Sequence, residues 1–402
     1  MRSLRELYRI GTGPSSSHSM APRTASMRFK EKYPDAHSYR VTLYGSLAST
    51  GKGHMTDEAI SGVLGNEVEI VWLPDLELPL HTNGMKFEAL DEHGNVEGVT
   101  EDYSLGGGAL RSDKSLGDVY SESSAHEILT VVRESYGSYW EYVIDRDEGI
   151  KEYLRTIWDT MVQSIERGLS RSDRLPGRLN LPRKANAIYN KSKFLEVTIQ
   201  EKMMTTAYAY AVSEENASAG IVATAPTCGA CGVVPAVLRF MEEKMHPERD
   251  DILHALATAG MFGNLIKTNA SISGAYVGCQ GEVGAACAMA AAAACQIIGG
   301  TPRQIEYAAE MGLEHHLGLT CDPVYGLVQI PCIERNAHAA LRAIDCAYIA
   351  IFSDGDHHIS FDDVVQVMLE TGMEMSKDFK ETSEGGLAKV YAHRFEMMGE
   401  AE

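Results

Sequence analysis

The first 227 residues contain no cysteine, so any thiol chemistry belongs to the remainder of the chain. Residues 1–10 are charged throughout and contain no apolar stretch of the kind a secretory signal needs, and the expectation is a cytoplasmic protein. No apolar run reaches membrane length. The longest, residues 285–298, is about 14 residues and Ala-rich, which suits a buried core helix better than a bilayer span. Basic charge is scarce: 36 Lys and Arg stand against 56 Asp and Glu, a formal net charge of -20. Such a surface repels nucleic acid and anionic lipid, so neither is an expected partner. No internal repeat and no low-complexity tail are present. At 402 residues, 44% apolar and 23% charged, the chain suits a globular protein with room for two full cores.

Residues 38–46 (SYRVTLYGS) and 68–73 (VEIVWL) are β-rich runs. Residues 85–90 alternate apolar with polar, and the DEHGN turn at 91–95 joins them to a partner strand at 96–100. Residues 56–64 have helical character, and a sheet with helices on one face is the simplest assembly. Beyond about residue 145 the strand signals fade. Ile150, Leu154, Ile157, Trp158, Met161, Val162 and Ile165 recur at helical spacing. Residues 170–183 (SRSDRLPGRLNLPR) are expected to form a loop, and 193–212, 251–267, 282–298, 302–317, 333–351 and 360–379 to be helices. The expected fold class is α+β. An N-terminal α/β domain with a small sheet (1–140) leads through a helix and linker (141–183) to an all-helical domain (184–402).

Three segments of the N-terminal part are rich in polar groups. GTGPSSSHS, residues 11–19, is either a solvated loop or a nest for a small carboxylate, with His18 able to exchange a proton near neutral pH. YGSLASTGKGHMTD, residues 44–57, runs from a strand through glycines into a helix. It lacks the G-x-x-x-x-G-K-[ST] phosphate loop because glycine follows Lys52, so a nucleotide site is not expected. Lys52 and His54 remain candidates for holding an anionic substrate or moving a proton. The three glycines of DYSLGGGAL, residues 102–110, suit either a close backbone approach or a tight turn against the other domain.

All eight cysteines lie from Cys228 to Cys346, and a disulfide framework is not expected in a large cytosolic chain. Cys279 (VGCQGEVG) precedes an expected helix, and Cys321 (GLTCDPVYG) and Cys332 (QIPCIERN) bracket a Pro- and Gly-rich loop. Thiolates at loops and helix starts are well situated for metal, because helix N-termini and loop amides stabilise the anion and bound sulfide. Cys287, Cys295 and Cys346 fall inside Ala-rich helices and are expected to be buried apolar groups. Cys228 and Cys231 form a C-x-x-C without the second pair that zinc would want, which favours a structural or substrate-side role. Three cysteines on a four-iron cubane leave one iron open as a Lewis acid, a set that tilts toward dehydration rather than electron transfer.

Together these segments resemble the iron–sulfur L-serine dehydratases over nearly the whole chain. GPSSSHSM, YGSLASTGKGHMTD and SLGGGAL are similar to signatures of that family's β domain. ENASAGIVATAPTCGACGVVPAVL, NASISGAYVGCQGEVG, GLTCDPVYGLVQIPCIERNA and ETSEGGLA are similar to those of its α domain, in the same order. The resemblance implies a [4Fe–4S] cluster on Cys279, Cys321 and Cys332, and a substrate loop at Ser15, Ser16, Ser17 and His18. It adds Lys52, Thr227 and Asn269 as substrate-binding residues, and leaves His18, Lys52 and His54, or a serine of 15–17, as candidates for the base. It implies no pyridoxal phosphate; Lys193 in NKSKF lacks the glycine-rich company of a Schiff-base lysine. The implied reaction takes L-serine through aminoacrylate and imine to pyruvate and ammonia, and the implied assembly is a homodimer. The alternatives are a dehydratase of another small hydroxy compound such as L-threonine, or a non-catalytic iron–sulfur or amino-acid sensor. Departures from the family are Cys228 where many members have asparagine, Tyr276 for glutamate and Glu384 for arginine. The MMGEAE ending has no cysteine, so the tail-cysteine capping of some members is not expected here.

Overall fold

A computed structural model describes residues 1–113 and 117–397, the last three as backbone alone; residues 398–402, on which the tail-cysteine expectation falls, lie outside the described residues. The α+β class holds: a small sheet near the N-terminus is followed by a helical body.

The strands are β1 (Ile10–Thr12), β2 (Ser38–Tyr44), β3 (Glu69–Leu73), β4 (Gly84–Leu90), β5 (Val96–Gly106), β6 (Ala109–Leu110) and β7 (Ile221–Ala223). Five of them form one sheet in the order β3-β2-β4-β5-β6, parallel only between β2 and β3. The parallel pair needs a crossover, which the helices Gly45–Thr50 and Thr56–Leu64 provide. Register sets the faces. Tyr39, Val41 and Leu43 stand opposite Ala89, Phe87 and Met85, so one face is apolar at period two. It packs on Ala21, Ala25 and Phe29 of the helix Ala21–Lys32, and on Leu47, Ile60 and Leu64. The other face carries the ion pairs Arg40–Glu69 and Lys86–Glu88. Strand β5 runs past the expected residue 100 as far as Gly106. It stops where Gly106, Gly107 and Gly108 all take positive φ, turning against Ser273 and Ile272 of the helical body.

The N-terminal segment does not stay with this sheet. Leu4, Leu7 and Tyr8 recur at helical spacing and are fully buried among the helices, with the Tyr8 hydroxyl donating to the Leu256 carbonyl. β1 then pairs antiparallel with β7 and fixes the following serine loop beside residues 214–232. In the helical body, Val283–Ile298 is central and its residues 283–295 are buried. Together with the turn before it, Cys279–Ile298 is apolar and long enough to cross a membrane by composition, but it is mostly covered by its own fold. Alanine permits that depth: at Gly312 a side-chain carbon would come 3.1 Å from Ala288 Cα, so the neighbouring helix Pro302–Glu314 can approach only where both residues are small. That helix begins with the capping box Thr301/Gln304.

The same helix carries a stability switch. Burial, aided by Glu314 and Glu306 on the adjacent turns, pushes the Glu310 carboxyl up to about 7. The native state therefore binds the proton more tightly than the unfolded chain does. Stability is full below the unfolded carboxyl value and is lost as pH rises toward 7. In Glu310→Gln the loss disappears. The variant's stability advantage over the parent should be larger at pH 8 than at pH 5 by about 1–2 kcal/mol, after allowance for screening. Thermal unfolding at the two pH values measures this, and equal advantages at both would contradict it.

Candidate active site

Cys279, Cys321 and Cys332 come from three separate segments and border one cavity with Pro14, Ser15, His54, Gly229, Glu282, Pro323, Val328 and Glu381. Cys279 follows Gly278, whose φ of 76° turns the chain into the short 3-10 turn Cys279–Gly281 ahead of the central helix. Cys332 opens the helix Cys332–Ile351. Cys321 is clasped by the C-terminal segment: its N–H donates to Phe379 O at 2.8 Å, and its carbonyl accepts from Glu381 N at 2.8 Å. Gln280 ties the first two loops together, with its N–H donating to Leu319 O (3.2 Å) and its side-chain oxygen accepting from Gly318 N (2.9 Å). Asn336 ties the third to the C-x-x-C loop by donating to both Gly229 O (2.7 Å) and Cys332 O (2.9 Å).

Burial pushes the Cys279 thiol up to about 11, and it drives Cys321 and Cys332 upward as well. Glu282 adds to the rise at all three and Cys279 to that of the other two, while the Arg335 guanidinium opposes the shift at Cys279 and Cys332. Arg335 is itself fixed by Thr320 O (2.6 Å) and Asp322 (3.3 Å). A cationic centre between the thiols would reverse their protonation, since a coordinating thiol is deprotonated outright. Among the described residues no three His, Cys, Asp or Glu side chains converge as a single ion requires. A cluster distributes its ligands over different irons, so three buried thiols around a cavity, with a cation behind two of them, fit a cluster rather than a lone ion.

Two histidines stack beside the thiols, ring centres 4.5 Å apart. His54 Nδ1–H donates to Thr50 O at 3.0 Å, because a carbonyl only accepts; Nε2 is thereby left with its lone pair. Nε2 lies 3.6 Å from Glu381 Oε1. His18 has the opposite tautomer: Nε2–H donates to Ser46 O (3.1 Å), and Nδ1 accepts from Ser17 Oγ (2.8 Å), 3.5 Å from the same Glu381 oxygen. Burial lowers His54 to about 4 and lowers His18 too, the latter also through His54, so both rings are neutral. Burial and the nearby Glu282 raise Glu381. The serine loop is self-bonded: Ser15 Oγ caps His18 N–H at 3.1 Å, Ser15 N–H donates to Ser19 Oγ, and Ser19 Oγ donates to His54 O at 2.6 Å.

The profile described as Serine dehydratase alpha chain matches residues 55–388, and that described as Serine dehydratase beta chain matches residues 3–72. The chain belongs to the serine dehydratase family. Three curated relatives bear this out: L-serine dehydratase of Streptomyces coelicolor (41% identical, covering 96% of this chain and 98% of the relative), L-serine dehydratase 1 of Escherichia coli (39%, 96% and 99%) and L-serine dehydratase of Haemophilus influenzae (38%, 96% and 99%).

Within this serine dehydratase the expected site residues separate into two groups. Ser15, His54, Cys279, Cys321 and Cys332 line the cavity, with Ser17 and His18 immediately behind. Ser16 is buried in the short turn Ser16–Met20. Thr227 joins them indirectly, its hydroxyl donating to Glu282 Oε1 at 2.8 Å. Lys52 and Asn269 are not brought to it. Lys52 is exposed over the Trp72 ring, and lines an outer pocket with Tyr325, Gly326 and Glu384. Asn269, exposed at the end of the helix Arg249–Asn269, donates to Ser123 O. Lys193 sits over the Tyr189 ring on the surface. Cys228 and Cys231 are buried in the helical core, and only Gly229 between them reaches the cavity wall.

Glu282, Glu381 and Arg335 were not singled out from sequence. Glu282 follows Cys279 by three residues and Arg335 follows Cys332 by three, so neighbourhood to the loop cysteines was the available signal. For Glu381 the signal was φ of 60° in ETSEGGLA, a backbone state that a glutamate adopts only where its surroundings hold it, and that is not legible from composition.

Proposed function

We propose that this chain is an iron–sulfur L-serine dehydratase, a lyase converting L-serine to pyruvate and ammonia, with Cys279, Cys321 and Cys332 holding a [4Fe–4S] cluster. When bound, the cluster supplies a Lewis-acidic iron for the departing β-hydroxyl. His54 Nε2, neutral and at the cavity wall, takes the α-proton, and Thr50 O holds its tautomer; the imidazolium that forms draws the Glu381 carboxyl, raised by burial and Glu282, toward its ionised form, which stabilises the ring. His18, locked by Ser17 and Ser46, backs His54 by stacking and shares Glu381. The reaction balances as loss of the α-proton and of hydroxide, giving aminoacrylate. Tautomerisation to the imine and addition of water then release ammonia and pyruvate. Pyridoxal phosphate takes no part in this reading.

One observation carries it: three loop cysteines border the same cavity as a neutral histidine whose free nitrogen faces inward. The curated relatives named L-serine dehydratase support the substrate. The reading also takes the enzyme as cytoplasmic and homodimeric, with a small-molecule partner and no nucleic-acid or membrane partner; the net charge of -20 supports the last two. Anoxic reconstitution tests it. The protein should take up about four irons per chain and form pyruvate from L-serine. Turnover by iron-free protein loaded with pyridoxal phosphate would overturn it.

A further inference from the structure

The cavity is lined by two carboxylates and, among the described residues, by no lysine or arginine. The two acids are not equivalent. Glu381 Oε1 is shared by His18 and His54. Glu282 has no lysine, arginine or histidine within ion-pair distance among the described residues; Arg335 acts on it only from farther away. Its Oε1 accepts from Thr227 Oγ1 at 2.8 Å, and its Oε2 has only the Cys321 thiol at 3.8 Å. Space has been kept around it. A side-chain carbon at Gly229 would come 3.0 Å from Oε1, and one at Gly274 would come 2.6 Å from Oε2. Part of the Glu282 surface nevertheless remains open.

A carboxylate offers about four lone-pair sites, and leaving them unmet in a dry cavity is costly. Among the described residues Glu282 Oε2 has only that weak sulfur contact to meet its lone pairs. A compact cation with several N–H donors answers that deficit, and the α-ammonium of an amino acid is such a group.

We infer that Glu282, oriented by Thr227, receives the α-ammonium of the substrate and so selects amino acids over hydroxy acids at this site. The inference rests on the proposed dehydratase reading and deepens it. Glu282 is here a substrate-binding residue and Thr227 a positioning residue. The arrangement leaves the β-hydroxyl free to point at the three-cysteine side of the cavity, and the α-proton at the His54 side.

The test uses anoxic, iron-loaded full-length enzyme and two ligands that cannot turn over, L-alanine and propanoate, which differ only in the amino group. Calorimetry on the parent should give tighter binding of L-alanine. In Glu282→Gln, L-alanine binding should weaken by about 10–100-fold toward that of propanoate, the loss expected for a charged hydrogen bond. Propanoate binding and iron content should stay unchanged, and KM for L-serine should rise more than kcat falls. Glu381→Gln should keep the preference for L-alanine. If Glu282→Gln fails to retain iron, Thr227→Val decides: discrimination should drop several-fold and return in Thr227→Ser. A Glu282→Gln or Thr227→Val enzyme that discriminates as the parent does overturns the inference. A parent enzyme that takes up no iron and makes no pyruvate overturns instead the dehydratase reading beneath it.

Discussion

Cys321→Ala protein, reconstituted without oxygen, will retain little iron and lose serine turnover by at least about 1,000-fold, while its iron-free fold melts where the iron-free parent does. The iron loss follows from the donor set. Three thiols border the cavity, Cys321 touches Glu282 by its sulfur and Glu381 by its backbone, and no other cysteine lines the wall to replace it. The unchanged melting follows from what the residue does structurally. Its ties to residues 379 and 381 are made by backbone N–H and C=O, which alanine keeps. The thiol itself is buried and protonated in the iron-free state, so alanine removes a small, weakly bonded group. Iron per chain, visible absorbance and pyruvate formation should fall together, and likewise for Cys279→Ala and Cys332→Ala. Should any of the three keep both iron and turnover, the ligand assignment is wrong.

His54→Ala should have the second largest effect with the opposite signature: full iron content and absorbance, but kcat lower by about 100- to 10,000-fold. The ring contributes a nitrogen at the cavity wall and no donor to the thiols, so its removal spares iron binding. The pH profile adds a sign. A base must be unprotonated, so activity is lost as pH falls through its pKa. Burial holds His54 at about 4, so the acid limb of kcat/KM should carry no inflection near the 6.5 of a free histidine. Lys52→Met, altering a side chain that lies outside over Trp72, should cost far less. If Lys52→Met lost more activity than His54→Ala, the proton acceptor would have to be sought at the outer pocket.

Much of the fold was legible because local chemistry and global structure agree. The β-rich run at residues 38–46 and the alternation at 85–90 became the paired faces of β2 and β4, and the helix expected from residue 302 starts there behind its Thr301 capping box. Four things were not legible. The helix Val233–Met245 opens Val-Val-Pro, which reads against helix, yet Pro235 sits in the first turn, where a missing N–H costs nothing. The helical spacing of Leu4, Leu7 and Tyr8 gave no hint that these residues leave the sheet for the helical core. The loop cysteines stood out by their Gly and Pro neighbours, whereas Lys52, from just such a glycine-rich setting, came to lie outside. The role of Glu381 depends on residues more than 300 positions away in sequence, and no spacing rule reports such a meeting.

The cavity wall is made by residues 14 and 15 at one extremity of the chain and by 381 near the other. The wall therefore closes only when these distant segments meet, because Cys321 has no clasp until residues 379–381 fold back onto it. A chain cut before residue 379 would keep all three thiols but lack one wall of the cavity they border.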